Sequence, residues 1–71
     1  MAEPIREALK ILRRKQVEAR TGLSRTTIYD LIRANRFPRQ VRVGPRAVGW
    51  VESEIDDYLV AQVERSRTNA A

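Results

Sequence analysis

Seventy-one residues without a cysteine or a histidine exclude disulfide frameworks, zinc fingers and Ser-His-Asp or Cys-His catalysis, and so short a chain can hardly enclose a ligand pocket of roughly 300–1,000 Å³. Fourteen Lys and Arg against nine Asp and Glu leave a net charge of +5, and 42% of residues are apolar. This balance excludes a disordered tail and points to a polyanionic partner. Apolar runs of at most four residues exclude a transmembrane helix, and no signal-like segment follows the start. A cytoplasmic, non-enzymatic binding domain with neither metal nor cofactor is expected.

Residues 1–10 contain Pro4, which either opens a short helix with Ile5, Leu9 and Leu12 on one side or belongs to a loose arm. Residues 15–21 read as a short helix carrying Val17 and Ala19, closed by Gly22, which takes the left-handed conformation at no steric cost. Leu23 follows where an apolar contact back onto the helix is common. Ser24 fits an N-cap whose hydroxyl accepts an orphan backbone N–H. Gly22-Leu23-Ser24 is therefore a three-residue turn between two helices, the spacing of a helix-turn-helix.

The second helix spans 25–34. At about 100° per residue, Ile28, Leu31 and Ile32 share an inner side with Thr27 beside them, while Arg25, Thr26, Tyr29, Asp30 and Arg33 face out. The outer set has the residue types that reach base edges and phosphates from a major groove. It lies within the most basic stretch of the chain. Residues 11–50 hold ten basic side chains, nine of them Arg, against two acidic ones; residues 1–10 are neutral and residues 51–71 carry −3. Arg suits two-pronged hydrogen bonding to phosphate or guanine.

Phe37-Pro38 stops the helix, and Phe37 is assigned to the core. Val41 and Val43 alternate along one strand, Val48 and Trp50 along the next, and Gly44-Pro45-Arg46-Ala47 turns between them. This hairpin bears Arg42 on a strand and Arg46 at its tip, the arrangement of a wing that can put an Arg into a narrow minor groove. Trp50 reads as the core residue that pins the hairpin to the helices. Ser53 with Asp56 fits a capping box opening a third helix, and Glu54, Asp56 and Asp57 complement its dipole, a fuller account of the acidic pair than a metal site. Ile55, Leu59 and Val63 face inward with Tyr58 alongside, and 66–71 fray.

Five blocks, in order and correctly spaced, resemble a known family. They are Ile11-Leu12-Arg13 leading into Lys15-Gln16-Val17, then Thr21-Gly22-Leu23-Ser24 running through Ile32, then Arg36-Phe37-Pro38, then Gly44-Pro45-Arg46-Ala47-Val48-Gly49-Trp50, then Glu52-Ser53-Glu54-Ile55-Asp56. The stretch is similar to the AlpA family of prophage regulators. Arg14 departs from the family pattern, which often has an apolar residue there.

The resemblance implies a mainly α fold with a small β-hairpin, a winged helix-turn-helix related to MerR-type DNA-binding domains and phage excisionases. It implies sequence-specific double-stranded DNA binding and transcriptional control of prophage or mobile-element genes. By the resemblance Arg25, Thr26, Tyr29 and Arg33 would lie on the recognition helix and Arg46 on the wing. Lys15, Arg36, Arg39 and Arg42, as cations of the basic stretch, are expected to hold the phosphate backbone. The expected domains are an arm or short helix at 1–10, the winged domain at 11–64 and a flexible tail at 65–71. One such module buries only ~600–1,000 Å² on DNA, so further copies, an integrase or RNA polymerase are expected to assist; a membrane partner is not. An excisionase acting with an integrase, and a protein-binding adaptor or inhibitor of winged-helix shape, are the alternatives.

Overall fold

A computed structural model describes residues 9–69. In chain order these form β1 (Ile11–Leu12), α1 (Arg14–Thr21), α2 (Arg25–Arg33), β2 (Val41–Gly44), β3 (Ala47–Val51) and α3 (Glu52–Asn69). Most of residues 1–10, and with them the choice between arm and short helix, lie outside the described residues. Leu12 itself is in a strand and Leu9 is exposed.

The helix-turn-helix forms where the turn chemistry placed it. Gly22, at φ 76°, closes α1 by donating its N–H to the Glu18 carbonyl at 2.7 Å, the single-bond left-handed cap. At the front of α1 the Arg13 N–H donates to Gln16 Oε1 at 2.8 Å. Ser24 caps α2, its Oγ accepting the Thr27 N–H at 3.2 Å. The far end of α2 is closed by Asn35, the one described non-glycine residue with positive φ, at 60°. Asn35 N–H donates to the Ile32 carbonyl and Arg36 N–H to the Leu31 carbonyl. That pair of bonds is a Schellman closure with Asn in the left-handed position, so the helix ends before Phe37-Pro38 has to stop it.

The expected hairpin is present, and a third strand joins it. The sheet order is β1-β3-β2, all antiparallel, with Leu12 opposite Trp50 and Val41 opposite Gly49. β3 is thus central, and Pro45-Arg46 is a two-residue turn. On β2 the register advances by two residues, from Arg42 to Gly44, while β3 advances by one. Val43 is the extra residue of a bulge, which interrupts pairing along an edge strand. Both Val41 and Val43 are exposed.

Leu12, Val17, Ile28, Phe37, Trp50 and Ile55 make the core, with Leu23, Tyr29, Leu31, Ile32, Tyr58 and Leu59 packed around it. Trp50 is fully buried and its indole N–H donates to the Pro38 carbonyl at 3.0 Å, which ties the loop after α2 to the central strand. The Phe37 and Tyr58 rings meet edge to face at 4.7 Å between centroids, joining that loop to α3. Thr27, expected beside the inner side of α2, is exposed, as is Ala19 on α1.

α3 departs from expectation in three ways. It starts at Glu52, directly out of β3, so Ser53 lies inside the helix and the Ser53–Asp56 capping box does not form. The Glu52 N–H is satisfied instead by the Lys10 carbonyl at 2.7 Å; the strand alongside replaces a cap. Val63, expected inward, is 46% exposed, because the end of α2 borders this turn on the side of Gln62 and Arg65 and leaves the Val63 side uncovered. The helix also runs to Asn69, past the expected boundary at 64, since 65–69 contain no Gly or Pro to break it.

Candidate nucleic-acid interface

The outer side of α2 gathers four of the expected contact residues. Arg25, Thr26, Tyr29 and Arg33 together line one shallow groove. Ile28 is fully buried on the opposite side and fixes the rotation of the helix, which turns that quartet outward.

Tyr29 is half-buried rather than free. Its ring and that of Trp50 meet edge to face, with centroids 6.3 Å apart and planes at 62°, so the core holds the aromatic plane. The Arg25 guanidinium sits over the other part of the ring, 5.8 Å from its centroid, within cation–π range. Arg33 donates to Asp30 one turn back; both are well exposed, at 73% and 58%. An exposed pair of this kind contributes little stability, but it orients the Arg33 side chain. Asp30, which the helix spacing put on the outer side but which was not among the expected contact residues, is the neighbour that holds Arg33. Its signal was the three-residue spacing to Arg33 on one helix.

The remaining expected residues are dispersed. Arg36 lines a cleft with Leu31, Asn35, Tyr58 and Arg65, between the end of α2 and the middle of α3. Leu31 lies across the helix from the quartet, so this cleft opens on a different side. Arg39 donates to Asn35 Oδ1 at 2.7 Å and borders a second cleft with Glu54 and Asp57. Both arginines thus border clefts beside α3, Arg36 next to Arg65 and Arg39 next to Glu54 and Asp57. Lys15 is exposed on the first turn of α1. Arg42 donates to the Pro45 carbonyl at 3.3 Å, and Arg46 is exposed at the tip of the turn.

Two further arginines of the basic stretch are neutralised locally. Arg14 pairs with Glu18. Arg20 reaches both Asp56, at 2.6 Å, and Glu52, at 2.9 Å, joining the end of α1 to the start of α3. The hydrogen bonds that Arg20 donates to Asp56 first, and then to Glu52, raise its pKa above the ordinary value. Among the described residues no group of acidic side chains could hold a metal ion, and no helix is long and apolar enough to cross a membrane.

Residues 10–63 match the family described as prophage CP4-57 regulatory protein (AlpA). The chain belongs to the AlpA family. A relative from Escherichia coli K12, named DNA-binding transcriptional activator AlpA, is 40% identical over 60 residues, covering 76% of this chain and 86% of the relative. A protein of Enterobacteria phage P4, named uncharacterized protein ORF88, is 41% identical over 54 residues, covering 76% of this chain and 61% of that protein. In this AlpA-family chain the matched stretch takes in the helix-turn-helix, the hairpin and the first two-thirds of α3. It contains every residue of the outer groove.

Proposed function

We propose that this chain is a sequence-specific double-stranded DNA-binding transcriptional regulator of prophage or mobile-element genes. The observation that carries the reading is the groove formed by Arg25, Thr26, Tyr29 and Arg33 on the outer side of α2, just after a three-residue turn. Family membership supports it, and so does the E. coli relative, whose name is that of a transcriptional activator rather than of an excision factor.

In this reading α2 enters the major groove. Arg25, stacked on Tyr29, and Arg33, oriented by Asp30, reach guanine O6 and N7. Side chains already held in position lose less entropy on binding, and each good two-pronged contact discriminates by ~1–3 kcal/mol. Thr26 lies between them, suited to a phosphate or a thymine methyl. Lys15 and Arg42 contact phosphates, and Arg46 on the two-residue turn probes the neighbouring minor groove. Arg36 and Arg39 add flanking charge.

The test is fluorescence anisotropy on duplexes drawn from the surrounding genome, repeated across salt concentrations. Arg25→Ala and Arg33→Ala are expected to reduce the gap between preferred and random duplexes about tenfold or more, in line with loss of one base contact. Lys15→Ala is expected to weaken all duplexes alike and to lower the salt slope by about 0.9. Unchanged preference in both arginine variants would show that α2 does not read the sequence.

A further inference from the structure

α3 has 18 residues, about 27 Å of helix at 1.5 Å per residue. Its fully buried anchor, Ile55, lies in the first turn; Tyr58 and Leu59 pack at the edge of the core, and 63–68 are exposed. The Val60 and Val63 side of the distal half therefore stands clear of the body, while Gln62 and Arg65 on the other side border the cleft beside the end of α2. The distal half is not polar all round. Val60 is 55% and Val63 46% exposed, and with Leu59, Glu64 and Arg67 they line a shallow apolar groove.

Asp56, Val60, Val63 and Arg67 follow one another at spacings of four, three and four residues. This places them on one side of the helix, at the spacing of a coiled-coil seam. The seam is short: two apolar residues bracketed by a carboxylate at the near end and a guanidinium at the far end. Such an order is complementary to its own reverse. Two antiparallel helices related by a two-fold axis between residues 61 and 62 set Val60 against Val63 of the second copy, and Arg67 against Asp56 of the second copy, each contact occurring twice. A parallel pair would oppose Asp56 to Asp56 and Arg67 to Arg67.

We propose that this seam is the contact surface between two copies of the chain, paired antiparallel through α3. Asp56 already binds Arg20, but Arg20 is shared with Glu52. Two carboxylates against one guanidinium leave that end of the seam negative and still attractive to Arg67. The apolar part is small. Two valines per copy fall well below the ~800 Å² per partner of a standard stable interface. The pair is therefore weak in free solution and closes where a duplex holds two copies side by side; this last step rests on the DNA-binding reading above. Where binding is sequence-specific, a two-fold contact further calls for half-sites arranged as an inverted repeat.

The chain contains no cysteine, so introduced thiols report the pairing cleanly. Single-substitution chains Val60→Cys and Val63→Cys, mixed and oxidised at high protein concentration without DNA, are expected to cross-link to each other faster than either does to itself. They should also outpace the same two chains carrying Arg67→Glu, which sets like charges against Asp56 at both ends of the seam and leaves the thiols equally exposed. On duplexes of arbitrary sequence at low salt, long enough for two copies, the second copy is expected to bind about tenfold more tightly than the first, within the usual range of coupling between sites. Val63→Asp should abolish that gain and leave the first binding step unchanged. Cross-linking between Val60→Cys and Val63→Cys no faster than in the Arg67→Glu chains or than either chain with itself, or cooperativity surviving Val63→Asp, would overturn the proposal. Absence of any DNA binding would instead sink the regulatory reading, while the oxidation experiment still decides the pairing.

Discussion

Gly49 sits on the central strand, where β1 crosses closest. A methyl group at its Cβ position would lie 2.3 Å from Ile11 Cγ2 and 2.9 Å from the Leu12 carbonyl oxygen. The first clash is with a half-exposed side chain, which can rotate at ~0.5–1.5 kcal/mol if it leaves its rotamer. The second is with backbone. Leu12 is paired to Trp50 across the same ladder, so relief requires all of β1 to retreat, and Leu12, 3% exposed, to lift from the core. Overpacking of this kind costs ~1–3 kcal/mol, partly offset by ~0.4–1 kcal/mol because alanine restricts the unfolded chain. Gly49→Ala is therefore expected to destabilise by about 1–2 kcal/mol, a substantial part of the ~4–10 kcal/mol available to a domain of this size.

The assay is urea unfolding followed by tryptophan fluorescence, since Trp50 is the single tryptophan and is fully buried. With a slope near ~1 kcal/mol/M for so small a domain, the midpoint should fall by roughly 1–2 M. Gly44→Ala is the control: its added methyl meets only Ala47 Cβ at 3.6 Å, an ordinary contact, so a change within about 0.5 kcal/mol is expected. If Gly49→Ala matched the wild type, or Gly44→Ala cost more, the close passage of β1 over β3 would be refuted.

Ser24→Ala removes the oxygen that accepts the Thr27 N–H and should cost about 1 kcal/mol in thermal or urea unfolding. Trp50→Phe leaves the Pro38 carbonyl without its indole donor and vacates core volume; a loss of about 2–4 kcal/mol is expected, with hydrogen exchange accelerated first in the loop before β2. Arg20→Gln should leave the salt slope of DNA binding unchanged, because Glu52 and Asp56 already neutralise Arg20, whereas Arg46→Ala should lower it by about 0.9. An equal drop for both variants would contradict the local pairing of Arg20.

The local chemistry of the chain was enough to place α1, the turn and α2. Gly22, Ser24 and the Ile28-Leu31-Ile32 spacing act within a few residues of themselves, so their effects need no partner from elsewhere in the fold. The same holds for the Gly44-Pro45-Arg46-Ala47 turn and for the outward set Arg25, Thr26, Tyr29 and Arg33; Phe37 and Trp50 were legible as core from their size and apolar character, although distant segments bury them. Asn35 carried a comparable signal, since asparagine tolerates the left-handed conformation, and the neighbouring Phe37-Pro38 stop masked it.

What only the tertiary structure decided depends on contacts between segments far apart in the chain. Ile11–Leu12 is too short to show a strand periodicity, and it becomes one because β3 offers a free edge. That strand then supplies the Lys10 carbonyl which starts α3 at Glu52 and makes a capping box at Ser53 unnecessary. Arg20, Arg36 and Arg39 look alike in composition, but the acidic start of α3 neutralises the first and the clefts beside α3 take the other two away from the outer groove. Val63 keeps inward spacing in the sequence yet faces solvent, because the end of α2 borders that turn on its other side. Periodicity dictates which side of a helix is apolar; whether anything lies against that side is settled by the rest of the chain, or by a second copy of it.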